Sequence, residues 1–204
     1  MALSTFSDIK AAVADWLDRS DLTTQIPDFI RLAELRIYRE LRIPPMEAVV
    51  TVASSNQAVA LPSNYVEMKS VTAKGTPDKG LKRVSYRDQS KTTGTGIPST
   101  YSRRANEIIV HPAPDSSTDY ELYYWADIGS IIDEADGQNW FTENAPDILL
   151  YGALLEASPY LNDDERVGIW QTAFKESIRN IQTMADKAEH SGSGIGVTTT
   201  SGVY

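Results

Sequence analysis

The stretch that decides the fold is Ile26–Met46, with the sequence IPDFIRLAELRIYRELRIPPM. Its apolar residues recur every three or four positions, which places them on one face of an α-helix. They are Ile26, Phe29, Ile30, Ala33, Ile37 and Leu41, with Leu32, Leu35 and Tyr38 widening the stripe and Arg31, Glu34, Arg39 and Glu40 at or near its edges. Pro27 is tolerated in a first helical turn, and Pro44-Pro45 ends the helix. We therefore expect a helix that buries a wide apolar face against other helices.

Three further segments have helical spacing. A helix is predicted over Ser7–Asp18 and another over Pro146–Ala157. Asn162-Asp163-Asp164-Glu165 is typical of a capping box and begins a long final helix. Its stripe consists of Val167, Trp170, Phe174, Ile178, Ile181, Ala185 and Ala188. We expect these helices to pack with the central one as an antiparallel bundle.

Between the helices, apolar residues alternate with period two, which indicates β-strands. The predicted strands are Ala48–Ser54, Gln57–Leu61, Val66–Thr72, Leu81–Tyr86, Asn106–Pro112 and Asp119–Ala126. Ser55-Asn56 is predicted to join the first two strands as a tight hairpin. The last two strands are predicted to pair across the turn at residues 112–117. Such short strands favour a small antiparallel sheet or sandwich.

The expected fold is therefore α+β: an antiparallel helix bundle with an inserted small antiparallel β domain and an extended C-terminal arm. The expected boundaries place N-terminal bundle helices in residues 1–46 and the β domain in 47–128. The C-terminal bundle helices occupy 129–190, and the arm occupies 191–204.

Charge is distributed unevenly along the 204 residues, whose net charge is −9. Residues 128–190 contain 4 basic and 12 acidic residues, a balance of 4 − 12 = −8, and 191–204 carry no charge. An acidic segment repels nucleic acid, which argues against a tight DNA-binding protein but allows a surface that DNA passes. No apolar run reaches the roughly 18 residues of a membrane span, so no membrane partner is expected.

The residue types that carry chemistry are sparse, and we expect no catalytic, cofactor or metal site. Cysteine is absent, and the two histidines, His111 and His190, lie at the ends of a predicted strand and helix. The segment 133–143 leaves two interpretations open, a solvated acidic loop and a calcium loop. In the calcium alignment Ile132 occupies the first ligand position, which favours the solvated loop.

Basic residues concentrate in the β region, at Lys82, Arg83, Arg87, Arg103 and Arg104. Two interpretations of these residues stay open: a solvated sheet face, and a docking patch for an acidic partner.

Several stretches occur in an order that resembles the head-to-tail adaptor (connector) proteins of tailed bacteriophages, especially short-tailed ones. They are IPDFIRLAELRIYRELR (Ile26–Arg42), ALPSNYVEMKSV (Ala60–Val71), PSTYSRRANEIIVHPAP (Pro98–Pro114), YELYYWADI (Tyr120–Ile128), NWFTENAPDILLYGALLEASPYLNDDERVGIW (Asn139–Trp170) and the uncharged tail. The resemblance covers nearly the whole chain, and it carries over no catalytic signature.

This resemblance implies a structural virion protein rather than an enzyme. Such proteins form a ring, typically of twelve subunits, below the portal; the ring extends the DNA channel and joins the head to the tail nozzle. The implied partners are the portal, the nozzle protein and further copies of the chain, while DNA passes through during ejection without sequence-specific binding. The ring would assemble in the host cytoplasm and remain at the head–tail interface. The alternative is a muralytic (peptidoglycan) hydrolase or a carbohydrate-binding tail component.

Two segments are candidate contact sites within such a ring. In relatives the C-terminal arm reaches along or into the portal, and Ser191–Tyr204 occupies that position here. Ile195, Val197, Val203 and Tyr204 are its expected anchors on the portal or, alternatively, on the neighbouring subunit. Asp163, Asp164 and Glu165 either line the channel, where a negative wall lets DNA slide, or simply cap the final helix.

Overall fold

The computed structural model describes residues 3–19, 21–89, 94–134, 136–161 and 165–190. These residues form six α-helices, which are α1 (Phe6–Leu17), α2 (Ile26–Glu40), α3 (Tyr86–Gln89), α4 (Trp140–Asn144), α5 (Pro146–Glu156) and α6 (Arg166–His190). They also form eight strands, which are β1 (Glu47–Ser54), β2 (Ala58–Ala60), β3 (Tyr65–Ala73), β4 (Lys79–Gly80), β5 (Lys82–Arg83), β6 (Thr100–Arg104), β7 (Glu107–His111) and β8 (Thr118–Ala126). The chain divides into two compact units, a helical unit built on residues 8–44 and 145–204 and a β unit built on 2–7 and 45–144.

In the helical unit, α5 packs against both α2 and α6. Seven of the eleven residues of α5 are buried, so this helix is apolar nearly all round. The predicted burial of α2 is confirmed for Ile26, Phe29, Ile30, Ala33 and Ile37. Its stripe is narrower than expected, because Leu32 and Leu35 are exposed.

Polar and aromatic contacts link the helices of this unit. Arg36 on α2 donates from Nη1 to Glu156 Oε1 on α5 at 3.1 Å, and its guanidinium carbon lies 5.2 Å from the centre of the Phe174 ring on α6. Trp170 and Phe174 are buried, whereas Ile178, Ile181 and Ala185 are only half-buried. The second half of the predicted α6 stripe therefore has no fully buried member among the described residues.

The β unit contains two four-stranded sheets, with the orders β1-β8-β3-β4 and β2-β7-β6-β5. Pairing is antiparallel except between β5 and β6, which are parallel. One hydrophobic cluster draws residues from both sheets, and alternate residues of β8 supply much of it. The cluster consists of Val59, Val71, Ala73, Leu81, Tyr101, Ile108, Val110, Tyr120, Leu122, Tyr124 and Ala126.

The expected fold, a helix bundle with a small inserted antiparallel β domain, is wrong. The chain is α+β with two sheets of four strands each, one of them mixed, so β structure is a major part of the protein. The two predicted strand pairings are also wrong, because β1 pairs with β8 while β2 pairs with β7. Both the Ser55-Asn56 turn and the turn at 112–117 therefore connect strands of different sheets. Period-two alternation identifies a strand and its buried face, but it does not identify the strand beside it.

Candidate docking surface

The five predicted docking cations are all exposed, and they lie on three neighbouring elements of the β unit. Lys82 and Arg83 form β5, Arg103 and Arg104 end β6, and Arg87 lies on α3. Lys82 is level with Thr100 and Arg83 with Tyr101 in the parallel pair of β5 and β6. All five side chains are therefore accessible to solvent, as both a solvated sheet face and a docking patch require.

Strand alternation divides these cations between two faces of the sheet. Side chains paired in register share a face, and successive side chains point to opposite faces. Arg83 and Arg103 thus share the face of Tyr101, which belongs to the hydrophobic cluster. Lys82 and Arg104 share the opposite face. The structure therefore does not bring the five cations together as one patch.

The contacts of the two β6 arginines differ accordingly. The Arg103 guanidinium carbon lies 5.0 Å from the centre of the Tyr65 ring, an arrangement that favours a cation over an aromatic face. Arg104 donates from Nε to Glu107 Oε1 at 2.8 Å, directly across the β6–β7 pair. Hydrogen bonds that the Arg104 guanidinium makes with Glu107 and then with Tyr86 raise the pKa of Arg104.

A groove of about 650 Å³ lies beside Arg104. Its lining includes Gln57, Tyr86, Arg104, Ile109 and His111. Gln57 Nε2 lies 3.3 Å from His111 Nδ1, which orients the imidazole within the groove. The groove thus combines the Arg104 cation, the Tyr86 ring and several uncharged polar groups.

Sequence reasoning missed a second polar cluster, on the face of β1, β8 and β3 that points away from the hydrophobic core. Lys69 Nζ bonds the Glu47 carboxylate, and the Tyr123 hydroxyl donates to the same carboxylate. The ammonium also lies 4.6 Å from the centre of the Tyr123 ring and 4.5 Å from that of Trp125. Only the register of β1 and β3 on β8 brings these four residues together, so no local signal could have identified them.

Burial and pairing have opposite effects on the charges in this cluster. Partial burial disfavours the carboxylate of Glu47, but the hydrogen bonds from Lys69 and Tyr123 outweigh it and hold the pKa of Glu47 below its ordinary value. Burial likewise opposes the ammonium of Lys69, while Glu47 and Tyr123 raise the pKa of Lys69 above its ordinary value. Both groups are therefore charged at neutral pH, and Glu47 is unsuited to donate a proton.

The remaining predicted sites are only partly described. Glu165 is exposed just before α6, whereas Asp163 and Asp164 lie outside the described residues, as do Ile195, Val197, Val203 and Tyr204. In the acidic loop, Asp136 Oδ1 accepts a hydrogen bond from the Gln138 N–H at 3.2 Å. Within the described ranges, no group of three or more His, Asp or Glu side chains could hold a metal ion.

None of the described helices is long and apolar enough to cross a membrane. A search of curated proteins found no match to the chain. The profile of the family described as SU10 adaptor protein matches residues 4–197, which is nearly the full length of the chain. The matched range includes most of both units of the structure. The chain therefore belongs to the SU10 adaptor protein family, and it is a structural phage head–tail adaptor, a component of the virion that associates with portal and tail components.

Proposed function

We propose that the protein forms a ring below the portal of a short-tailed phage, with the twelve subunits that the resemblance implies. The ring extends the DNA channel and joins the head to the tail nozzle. The observation that carries this proposal is the family match over residues 4–197.

Exposed apolar residues of the helical unit support a ring. Leu32 and Leu35 are exposed on α2. On α6, Ile169 is 69% exposed and Met184 is 70% exposed. A head-to-tail ring needs two different surfaces of each subunit that fit one another. Apolar side chains on two separate helices meet this need, because contact with a neighbouring subunit would remove them from water.

The charged surfaces have separate roles in this proposal. Lys82 and Arg104 share one face of the sheet, and Arg104 also lines the groove; this face suits an acidic surface of a tail partner. Glu165, with Asp163 and Asp164 before it, supplies negative charge to the channel wall, so that DNA slides without binding. A structure of the assembled ring tests the second role. If Glu165 faced outward or lay buried between subunits, the channel role would be wrong.

The direct test of the ring is the solution mass of the protein, alone and mixed with purified portal. Native mass spectrometry should detect a complex with one portal ring and a whole ring of adaptor subunits. A chain that stays monomeric and fails to bind portal at micromolar concentration would contradict the proposal.

Deletion of Ser191–Tyr204 tests the arm. We expect the thermal midpoint of the monomer to change by less than about 2 °C, since Phe174 is the last buried residue of the helical unit within the described ranges, which end at 190. Assembly on portal should become at least about tenfold weaker, because the apolar anchors Ile195, Val197, Val203 and Tyr204 are lost. Equal binding of the truncated and full chains would show that the arm is no binding element.

A further inference from the structure

Helix α2 has an exposed apolar face in addition to its buried one. Leu32 is 47% exposed and Leu35 is 43% exposed, and Arg39 is exposed one turn further along. Residues three, four and seven positions apart in a helix lie on the same face, so these three side chains form a short ridge. We call Leu32, Leu35 and Arg39 the α2 ridge. It is apolar at its start and positively charged at its end.

Helix α6 has a ridge with similar spacing. Ile169 is 69% exposed, Ala173 is half-buried and Glu176 is exposed. We call these three residues the α6 ridge. The buried side chains of this part of the helix, Trp170 and Phe174, point to another side. The α6 ridge is therefore apolar at its start and negatively charged at its end.

The charges that end the two ridges have no ion-pair partner among the described residues. Arg36 on α2 bonds Glu156 at 3.1 Å, and its Nε lies 3.6 Å from Glu40 Oε1. Within the described ranges, neither Arg39 on α2 nor Glu176 on α6 makes such a contact. An exposed charge without a partner in its own subunit is available to a charge of opposite sign on another subunit.

The two ridges also match in length. Leu32 and Arg39 are 39 − 32 = 7 residues apart, and Ile169 and Glu176 are 176 − 169 = 7 residues apart. A helix rises about 1.5 Å per residue, so each apolar residue lies about 10.5 Å along the axis from its charge. Two helices laid side by side in the same direction therefore bring Leu32 beside Ile169 and Arg39 beside Glu176 at once.

We propose that the α2 ridge of one copy of this chain packs against the α6 ridge of a second copy, with the two helices running in the same direction. The inference rests on the proposed ring and deepens it by naming the two surfaces that meet there. Each copy carries both ridges, so the contact is head-to-tail, as a closed ring requires. Burial of Leu32 and Ile169 stabilises the contact, while the Arg39–Glu176 ion pair fixes its direction. Leu35 packs over the small Ala173.

This contact leaves Glu165 available to the channel wall. Glu165 lies one turn before Ile169 and is not part of the α6 ridge. Packed helices commonly cross at about 20° or 50°, so they diverge beyond the turns that touch.

Charge reversal tests the contact in the full-length protein. Arg39→Glu and Glu176→Arg should each weaken association between subunits at least about tenfold, because each places like charges opposite one another. A chain that carries both substitutions should assemble like the parent chain, since every contact regains an opposite pair. Lys175→Glu, which reverses an exposed charge on another side of α6, should leave association unchanged. Sedimentation of each protein alone and native mass spectrometry with purified portal measure the association.

A mixture of the two single variants distinguishes this contact from an ion pair within one chain. When Arg39→Glu and Glu176→Arg copies alternate around a ring, each contact has either both charges reversed or neither reversed. We therefore expect the equimolar mixture to assemble like the parent chain. Recovery in the doubly substituted chain but not in the mixture would place Arg39 and Glu176 together in one subunit and overturn the inference.

Ile169→Asp tests the apolar end of the contact, with Val49→Asp as its matched control. Val49 is 61% exposed on β1, outside both ridges. Ile169→Asp should weaken association at least about tenfold, because it buries a carboxylate against Leu32. Val49→Asp should leave association unchanged. If the two substitutions had equal effects, or if Ile169→Asp had none, the inference would be wrong.

The inference and the proposed ring fail separately. A complete ring of Arg39→Glu subunits on the portal would overturn the contact between the two ridges and leave the adaptor role intact. A parent chain that neither self-associates nor binds portal would contradict the ring, and the contact with it.

Discussion

Among single side chains, Glu47 shows most clearly how the sheet changes the chemistry of a residue. Its carboxylate is only about one-fifth exposed, with 21% of the side chain accessible, and it accepts hydrogen bonds from an ammonium and a phenol. Neither partner is close in sequence, since Tyr123 lies 76 residues away. The cluster therefore stabilises the register between β1, β3 and β8.

We expect Glu47→Gln to lower the free energy of unfolding by about 1 kcal/mol near neutral pH. The pKa of Glu47 is lower in the folded protein than its ordinary value of 4.5, so its contribution is complete above that value. The contribution is lost as the pH falls through the folded pKa. Urea denaturation of both proteins, at neutral pH and in acid, should therefore give a difference that vanishes in acid.

Glu107→Gln is the matched control, because Glu107 also bonds a cation across two strands but its partner Arg104 is exposed. Exposed pairs contribute little, so we expect a change below about 0.5 kcal/mol at either pH. If the two substitutions changed the free energy of unfolding equally, partial burial would not strengthen the contribution of the Glu47 ion pair to stability.

Among the elements, the close approach of α5 to α2 and α6 depends on Gly152. A Cβ at this position would lie 2.9 Å from Ala33 Cβ on α2 and 3.2 Å from Phe174 Cε2 on α6. The neighbouring helices can accommodate it only by moving apart or by shifting the phenyl ring. A small residue is therefore required where three helices meet.

Gly152→Ala should lower the free energy of unfolding by about 1–3 kcal/mol, even though alanine favours helix by about 1 kcal/mol over glycine. Gly168→Ala, in α6 with no atom near its would-be Cβ, should instead be neutral or raise stability by up to about 1 kcal/mol. Ala33→Gly combined with Gly152→Ala should recover part of the loss. Denaturant unfolding measures all three; a stabilised Gly152→Ala would show that the helices are loosely packed.

At the scale of the whole molecule, the β unit is one continuous segment, residues 45–144, with only a short N-terminal piece, residues 2–7, that includes the start of α1. Its hydrophobic cluster lies entirely within residues 59–126, and Ile131 and Phe141 are also buried in this unit. The Phe6 N–H donates to the Gly137 carbonyl at 2.7 Å, which ties the N-terminal piece to the loop before α4.

We predict that a fragment of residues 45–144 folds by itself, since it contains the whole cluster. The shorter range 47–128, which sequence spacing delimits, lacks Ile131 and Phe141 and should be less stable by several kcal/mol. Circular dichroism and thermal melting of the two fragments test this. If 45–144 is unfolded and melts without a transition, the unit needs the helices to fold.

Local sequence patterns were sufficient to predict where several helices and strands of this protein lie. Spacings of three and four residues correctly predicted α2 with its buried face, and alternation correctly predicted that residues 48–54 and 119–126 are strands. The order of motifs along the chain was sufficient for the adaptor family. These properties depend on neighbours within a few residues, so they can be read directly from the sequence.

Tertiary structure alone decided which strands pair, which faces the cations occupy and which polar groups are buried. Glu34 was expected at the edge of the α2 stripe, yet it is only 1% exposed, and its Oε2 lies 4.0 Å from Arg31 Nη1. Arg103 and Arg104 are adjacent in sequence, but the pleat of β6 sends them to opposite faces. Lys69 on β3 reaches Glu47 on β1 because both strands pair with β8, which lies between them. Partner choice depends on contacts between residues far apart in the chain, where many pairings have similar local patterns and only the packed core selects one.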